Sequence, residues 1–346
     1  MAVRYARRPM KPVSRSAAPT IRDVARHSGL SVATVSRVLN DMPWVSPATR
    51  DRVIRAVDEL GFRRSATARS LSLGRSQMIG VVAPFFTSPS CVERLRGISE
   101  RLAQHGYDLM LFDVETPGQR TDALRDFAQR DRVDGLLVIS LPLSDEEVDA
   151  LQRDDLPVVL VDIGHPGLPH VLIDDVRGGE LATEHLLAKG HRRIGFIGDL
   201  PANPFGFMSS ERRREGFRRA LRAAEIEAGD DLERLGVHGR EPARELAREL
   251  LANGERPTAI FAACDVQAFG VLEAAEALGL RVPDDVAVIG FDDVEMAATV
   301  GLTTVRQPLR DSGARGAELL LTAIEGDGQP PIEELEPLAV VERRTT

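Results

Sequence analysis

The sequence predicts a small all-α helix-turn-helix head followed by a large α/β domain with two lobes, and three observations carry that reading. Charge divides the chain: residues 1–78 hold 15 Lys and Arg against 5 Asp and Glu, and the remainder holds 29 against 48. Before residue 61, apolar residues recur at helical spacing in three short blocks separated by turn residues. From Met78 onward, short apolar runs alternate with amphipathic stretches, the pattern of parallel sheets covered by helices on both faces.

The 346 residues suffice for two or three domains at ~150 residues each. A composition of 43% apolar and 28% charged residues excludes collagen-like, disordered and disulfide-scaffold classes. Apolar runs fall far short of the ~18–20 residues of a membrane span. The two cysteines, Cys91 and Cys264, have neither CxxC nor Cys/His spacing, so a reducing compartment and no metal are expected. The basic start lacks the apolar stretch of a secretory signal. A cytoplasmic protein without membrane contact, and without a cofactor, is the expectation.

Residues 1–19, with Arg4, Arg7, Arg8, Lys11 and Arg15, read as a basic disordered tail. Residues 20–64 read as the helical head. Thr20-Ile21-Arg22-Asp23 has the form of a capping box, and Ile21, Val24 and Ala25 give a first helix one apolar face. Ser28-Gly29-Leu30 makes a turn, Ser31 a second N-cap, and Val35, Val38 and Leu39 the buried face of a second helix over Val32–Leu39. Ser46-Pro47 opens a third helix, with Val53, Ile54, Val57 and Leu60 buried and Gly61 ending it. Off the buried face, the second helix presents Ser31, Val32, Ala33, Thr34, Ser36, Arg37 and Asn40. These suit a DNA major groove: apolar tips for thymine methyls, hydroxyls for phosphates, and an Arg able to grip guanine. A basic head on an acidic body is also the charge footprint of a polyanion-binding module.

Residues 65–77 read as a hinge and linker, since Ser65-Ala66-Thr67-Ala68-Arg69-Ser70-Leu71 is too short to hold a helix alone in water. Residues 78–346 form the large domain, with strands expected over Ile79–Ala83, Leu109–Phe112, Gly135–Ile139, Val158–Val161, Ile194–Ile197, Ala259–Ala262 and Val286–Phe291. Ligands of such sheets bind beyond the carboxyl ends of the strands.

Residues 20–71, from TIRDVARHSGLSVATVSRVLND through ATARSL, resemble the DNA-binding head and hinge of the lactose-repressor/galactose-repressor family of bacterial transcription regulators. The resemblance makes Val32, Ala33 and Arg37 base-reading positions and Thr20, Ser31, Thr34, Ser36 and Asn40 backbone contacts. It also implies that hinge helices pair through small residues such as Ala68 in the minor groove while Leu71 wedges between base pairs. Family members usually carry Pro and Asn where this chain has Arg64 and Ser65.

The large domain resembles the same family's two-lobed, periplasmic-binding-protein-like effector and dimerisation domain. The matching stretches are Ile79–Pro84, Lys189–Ile194, Arg213–Phe217, Val282–Asp285, Gly290–Asp293 and Leu302–Pro308. The resemblance implies a homodimer on a palindromic double-stranded operator, controlled by a small-molecule effector such as a sugar or sugar derivative. No leucine heptads for tetramers are present near the end of the sequence.

Arg213 and Asp292 fall at the family's effector positions, and Asp162 at a strand end is a further candidate. Arg213, flanked by Arg212 and Arg214, also reads as a solvated helix face, and Asp162 as a loop cap. Three departures bear on specificity: Ser90-Cys91 stands where an aromatic pair is common, Cys264 where Asn precedes Asp, and His238 where an aromatic is frequent. An enzyme is the competing class, yet neither GxSxG, GxxxxGK[ST] nor GxGxxG after a strand occurs. An exported sugar-binding protein would need a secretory signal.

Overall fold

The computed structural model describes residues 19–40, 42–62, 75–127, 133–153, 155–252, 254–326, 333–335 and 337–346. Residues 1–18 of the basic tail and the hinge positions Arg64, Ser65, Ala68 and Leu71 lie outside the described residues. The chain divides into two compact units, Met1–Ser76 and Gln77–Thr346.

The first unit carries helices α1 (Ile21–Ser28), α2 (Val32–Leu39) and α3 (Pro47–Leu60). At the start of α1, the Asp23 carboxylate accepts from the Thr20 N–H at 2.9 Å and from its hydroxyl at 2.7 Å. Gly29 closes α1 at φ +65°, a left-handed conformation that glycine adopts without a Cβ clash. The Ser31 hydroxyl then accepts from the Thr34 N–H at 3.1 Å and starts α2. Val24, Val35 and Val53 are fully buried, with Ala25, Val38 and Ala56 around them. Ile54 corrects the sequence reading, because it is 47% exposed while Ala56 takes the core position. The face of α3 runs Val53, Ala56, Val57 and Leu60, a 3–4–7 spacing that turns residue 54 away.

The second unit holds two sheets of the same design. In the first, β1 (Met78–Pro84), β2 (Asp108–Val114), β3 (Gly135–Ile139), β4 (Val158–Val161) and β5 (His170–Leu172) lie parallel in the order β5-β4-β3-β1-β2. The second repeats it, with β6 (Ile194–Asp199), β7 (Glu233–Gly236), β8 (Ala259–Ala262), β9 (Ala287–Asp292) and β10 (Thr303–Arg306) ordered β10-β9-β8-β6-β7. A short β11 (Glu333–Glu334) joins β5 in parallel, and β12 (Ala339–Val341) joins β10 antiparallel. The short strands β5, β7 and β10 escape sequence reading because three or four residues such as Glu233-Arg234-Leu235-Gly236 carry almost no apolar alternation.

Nine helices among the described residues cover these sheets: α4 (Pro89–Gln104), α5 (Pro117–Phe127), α6 (Asp145–Gln152), α7 (Asp175–Ala188), α8 (Ser209–Ala223), α9 (Arg240–Leu251), α10 (Asp265–Ala277), α11 (Glu295–Val300) and α12 (Leu309–Glu325). Each sheet is apolar on both faces. In β1, Ile79, Val81 and Ala83 enter one layer and Val82 the other, the period-2 alternation of a strand. The chain crosses between lobes three times: from β5 to α7, from β10 to α12, and from β11 to β12.

Helix pairs in each lobe pack backbone to backbone through glycine. A Cβ on Gly97 of α4 would lie 2.0 Å from the Arg310 carbonyl oxygen, and one on Gly313 of α12 would lie 2.0 Å from that of Arg94. The second lobe repeats the contact between Gly179 of α7 and Gly216 of α8, at 2.1 and 2.0 Å from the oxygens of Arg213 and Val176. An arginine therefore stands three residues before a contact glycine in both lobes, Arg94 in one and Arg213 in the other. No described helix is long and apolar enough to cross a membrane.

Candidate functional site

The head offers one face of α2. Val35 and Val38 point into the core, which leaves Ser31, Val32, Ala33 and Arg37 exposed and Thr34, Ser36 and Asn40 half-buried. Thr20 and Ser31 act as helix caps, and the Asn40 amide donates to the Ser36 hydroxyl at 3.4 Å. The three residues assigned to base reading are thus on the solvent side of one short helix.

In the second unit, Arg213, Asp292, Asp162, Ser90, Cys91, His238 and Cys264 all line one cavity of about 100 Å3 between the lobes. It lies at the carboxyl ends of the strands: Pro84 ends β1, Asp199 ends β6, Asp292 ends β9, and Ser140, Asp162 and Ala263 follow β3, β4 and β8. Four non-glycine residues of the lining hold positive φ, Phe85 +46°, Ser140 +55°, Asp162 +68° and Asp292 +121°, and Asp293 beside them has +59°. Strained backbone of this kind persists where surrounding structure fixes it and concentrates at binding sites.

Arg213 is 5% exposed, so the solvated-face alternative is overturned. The Gly179–Gly216 contact brings α8 close enough for its Nε to donate to Asp175 at 2.8 Å and its Nη1 to the Ala263 carbonyl at 2.7 Å. Asp292 stands 3.7 Å away, and the guanidinium carbon lies 3.7 Å over the Phe291 ring. Across the cavity, Arg94 donates to Asp162 at 2.6 Å and to Gln307 Oε1 at 3.1 Å, while Ser140 donates to the other Asp162 oxygen at 2.6 Å. Asp162 is therefore an ion-pair partner beyond any loop-capping role. Gln307 donates onward to Asp292 at 2.5 Å, completing a polar chain from one lobe to the other.

Sequence reasoning missed Arg94, Gln267 and Gln307. The Arg-x-x-Gly spacing at Arg94–Gly97, a copy of Arg213–Gly216, was the available signal for the first. It also missed an aromatic wall. Ser90 and Cys91 leave the expected aromatic position small, but Phe85 and Phe207 line the cavity instead. Phe207 comes from the loop between β6 and α8, which Asn203 ties by accepting from the N–H groups of Phe205 and Phe207 at 3.1 and 2.9 Å. Phe205 stacks on Phe207 with centroids 5.3 Å apart and meets the edge of Phe85 at 5.3 Å. It is 8% exposed and packs into the apolar layer of the opposite lobe with Leu141 and Leu143.

Burial pushes the Asp175 carboxyl up to about 6, against the pull of the Arg213 guanidinium beside it. Burial also pushes Cys91 up to about 11 and Cys264 well above its ordinary value, so both cleft thiols stay protonated. For His238, burial opposes the charged form, but the hydrogen bond and charge of Asp199, 3.2 Å away, raise its pKa overall. No group of three or more His, Cys, Asp and Glu suited to a metal occurs among the described residues.

A pH prediction follows from Asp175. Its folded pKa lies above the ordinary 3.8, so its ionisation removes stability as pH rises toward about 6. Asp175→Asn should gain on the wild type, in the difference of their Tm values, between pH 4.5 and 6.5 and then run level. Calorimetric scans across that window check it; a constant difference refutes the assignment.

Residues 20–65 match the family described as bacterial regulatory proteins, lacI family, and residues 183–346 match the periplasmic binding protein-like domain. The chain is 34% identical over 331 residues to the HTH-type transcriptional repressor PurR of Photobacterium profundum, covering 94% of this chain and 98% of that protein. Among solved structures, it is similar to the Lac repressor dimer bound to operator and the anti-inducer ONPF, with a TM-score of 0.81, 28% identity, and 94% and 98% of the two chains covered. It is also similar to the transcriptional regulator CelR in its cellobiose complex, with a TM-score of 0.71, 31% identity, and 95% and 100% covered. With head and two-lobed body both matched, the chain belongs to the lacI family of bacterial regulatory proteins.

Proposed function

We propose that this chain is a sequence-specific repressor, acting in the cytoplasm as a homodimer, whose all-helical head reads one half of a palindromic operator. A sugar or sugar derivative held between the lobes sets its operator affinity. The observation that carries the reading is the exposed Val32-Ala33-Arg37 face of α2 on a head with strong positive charge. The Lac repressor is seen as a dimer on operator, and CelR with cellobiose, which supports the same partners here. The cavity lined by Arg213, Asp292 and Asp162 supports the effector role, and Leu71 is the proposed wedge at the centre of the operator. We read the chain as a regulator and not as an enzyme, in line with the PurR, Lac repressor and CelR likenesses.

Selection of bound fragments from random DNA tests this directly, and an inverted repeat is the expected product. On the selected site, Arg37→Ala should cost ~1–3 kcal/mol and relax preference at one base pair, whereas Asn40→Ala should weaken specific and random DNA alike. Recovery of fragments without symmetry contradicts the dimeric reading. Equal weakening of both DNAs by Arg37→Ala would make that residue a phosphate contact.

A further inference from the structure

Two side chains that line the cavity, from opposite lobes, each carry a buried polar atom with no hydrogen-bond partner among the described residues. Gln267 on α10 is 1% exposed; its Nε2 donates to Asp199 at 2.8 Å, while its Oε1 receives nothing. A carboxylate only accepts, so Asp199 fixes which end of the amide it faces and leaves the oxygen as the unmatched end. Arg94 on α4 is 3% exposed; its Nη2 serves Asp162 and Gln307, while its Nε–H is unmatched. Buried groups of this kind are rare in native proteins, because each forfeits its hydration without replacement.

The charges around them are already committed. Arg94 faces Asp162, and Arg213 faces Asp175 and Asp292, so neither guanidinium is free of a carboxylate. The remaining basic group in the lining, His238, is held by Asp199. An anionic ligand would therefore add charge to a wall whose carboxylates already match or outnumber its cations, in a site partly closed to water.

We infer that the effector is an uncharged polar molecule that bridges the lobes, offering an acceptor oxygen to Arg94 Nε–H and a donating hydroxyl or N–H to Gln267 Oε1. Arg94 and Gln267 are then specificity-determining residues, and phosphorylated or carboxylated forms of the effector are rejected. This rests on the reading of the cleft as the effector site. Both demands are met by one polyhydroxylated ring, since each hydroxyl donates and accepts.

Titration calorimetry of the full chain tests it with a panel of neutral sugars and nucleosides, including ribose, glucose, cellobiose and adenosine, each beside a phosphate ester or uronic acid derived from it. Binding is expected from uncharged members, with the matched anion weaker by about tenfold or more. For the tightest binder, Gln267→Met should weaken affinity about tenfold, and so should Arg94→Lys, which keeps the charge facing Asp162 but removes the Nε–H. One monodeoxy analogue of that binder should lose about tenfold on the wild type and nothing further on Gln267→Met. An anion that binds as tightly as its neutral parent overturns the charge rule and leaves the effector site standing. Failure of every panel member to bind overturns the cleft reading itself. If both variants keep wild-type affinity, the bridge is overturned.

Discussion

Arg213→Ala is expected to cost the large unit about 3–5 kcal/mol, because it strips the ion-paired guanidinium from two buried carboxylates. Asp175 and Asp292 are each 5% exposed and share Arg213 as their cationic neighbour. Without it, both carboxylates keep their desolvation cost and lose its compensation. Arg213 falls at a position that the family resemblance gives to the effector, so the effector response should be lost. The buried ion pairs make it a folding lesion as well, so reduced operator binding should accompany it wherever the large unit holds the dimer together. Asp292→Asn separates the two roles, since an amide oxygen still accepts from Gln307 and fills the same space. It should leave the urea midpoint of the large unit close to wild type and abolish the effector response. Urea unfolding and operator binding across an effector titration measure both. An Arg213→Ala protein as stable as wild type would mean that water, not Arg213, balances these carboxylates.

The second large effect belongs to the glycine contacts. Gly97→Val should cost about 3 kcal/mol or more, near the top of the range for overpacking, because its Cβ would lie 2.0 Å from a backbone oxygen rather than from a side chain able to turn aside. Prying α4 from α12 also moves Arg94 away from Asp162 and Gln307, so effector affinity should fall together with stability. Gly254→Ala is the control: its Cβ meets nothing within 4 Å, and the change should stay within about 0.5 kcal/mol. Thermal unfolding of the two variants gives the comparison. Equal stability would show that the helices can part at little cost.

The head was legible because its signals are local. Caps at Thr20, Ser31 and Ser46 and glycines at 29 and 61 mark the ends of α1, α2 and α3 within a few residues of the apolar face. Uniformly apolar strands such as β3 and β8 were legible for the same reason. The misreading of Ile54 came from counting an apolar residue one step off the helical stripe. In the cavity, Arg213 and Asp292 were reachable through their motifs, but the burial of Arg213 was hidden by its arginine neighbours. Arg94, Gln307 and Phe205 acquire their roles only when segments up to 213 residues apart meet, as at the Arg94–Gln307 hydrogen bond. No periodicity encodes such a meeting.

The seat of Phe205 in the lobe opposite its own strand has a kinetic consequence. Parting the lobes re-exposes that ring, at about 2–3 kcal/mol, which lowers the open population about 30- to 150-fold relative to a loop without it. The ligand enters through that minority state, so capture slows by about the same factor. Release must pass through the same opening and slows in step, leaving the equilibrium constant largely untouched. What the ring lengthens is residence time: once occupied, each molecule holds its regulatory state for longer than its affinity alone would suggest.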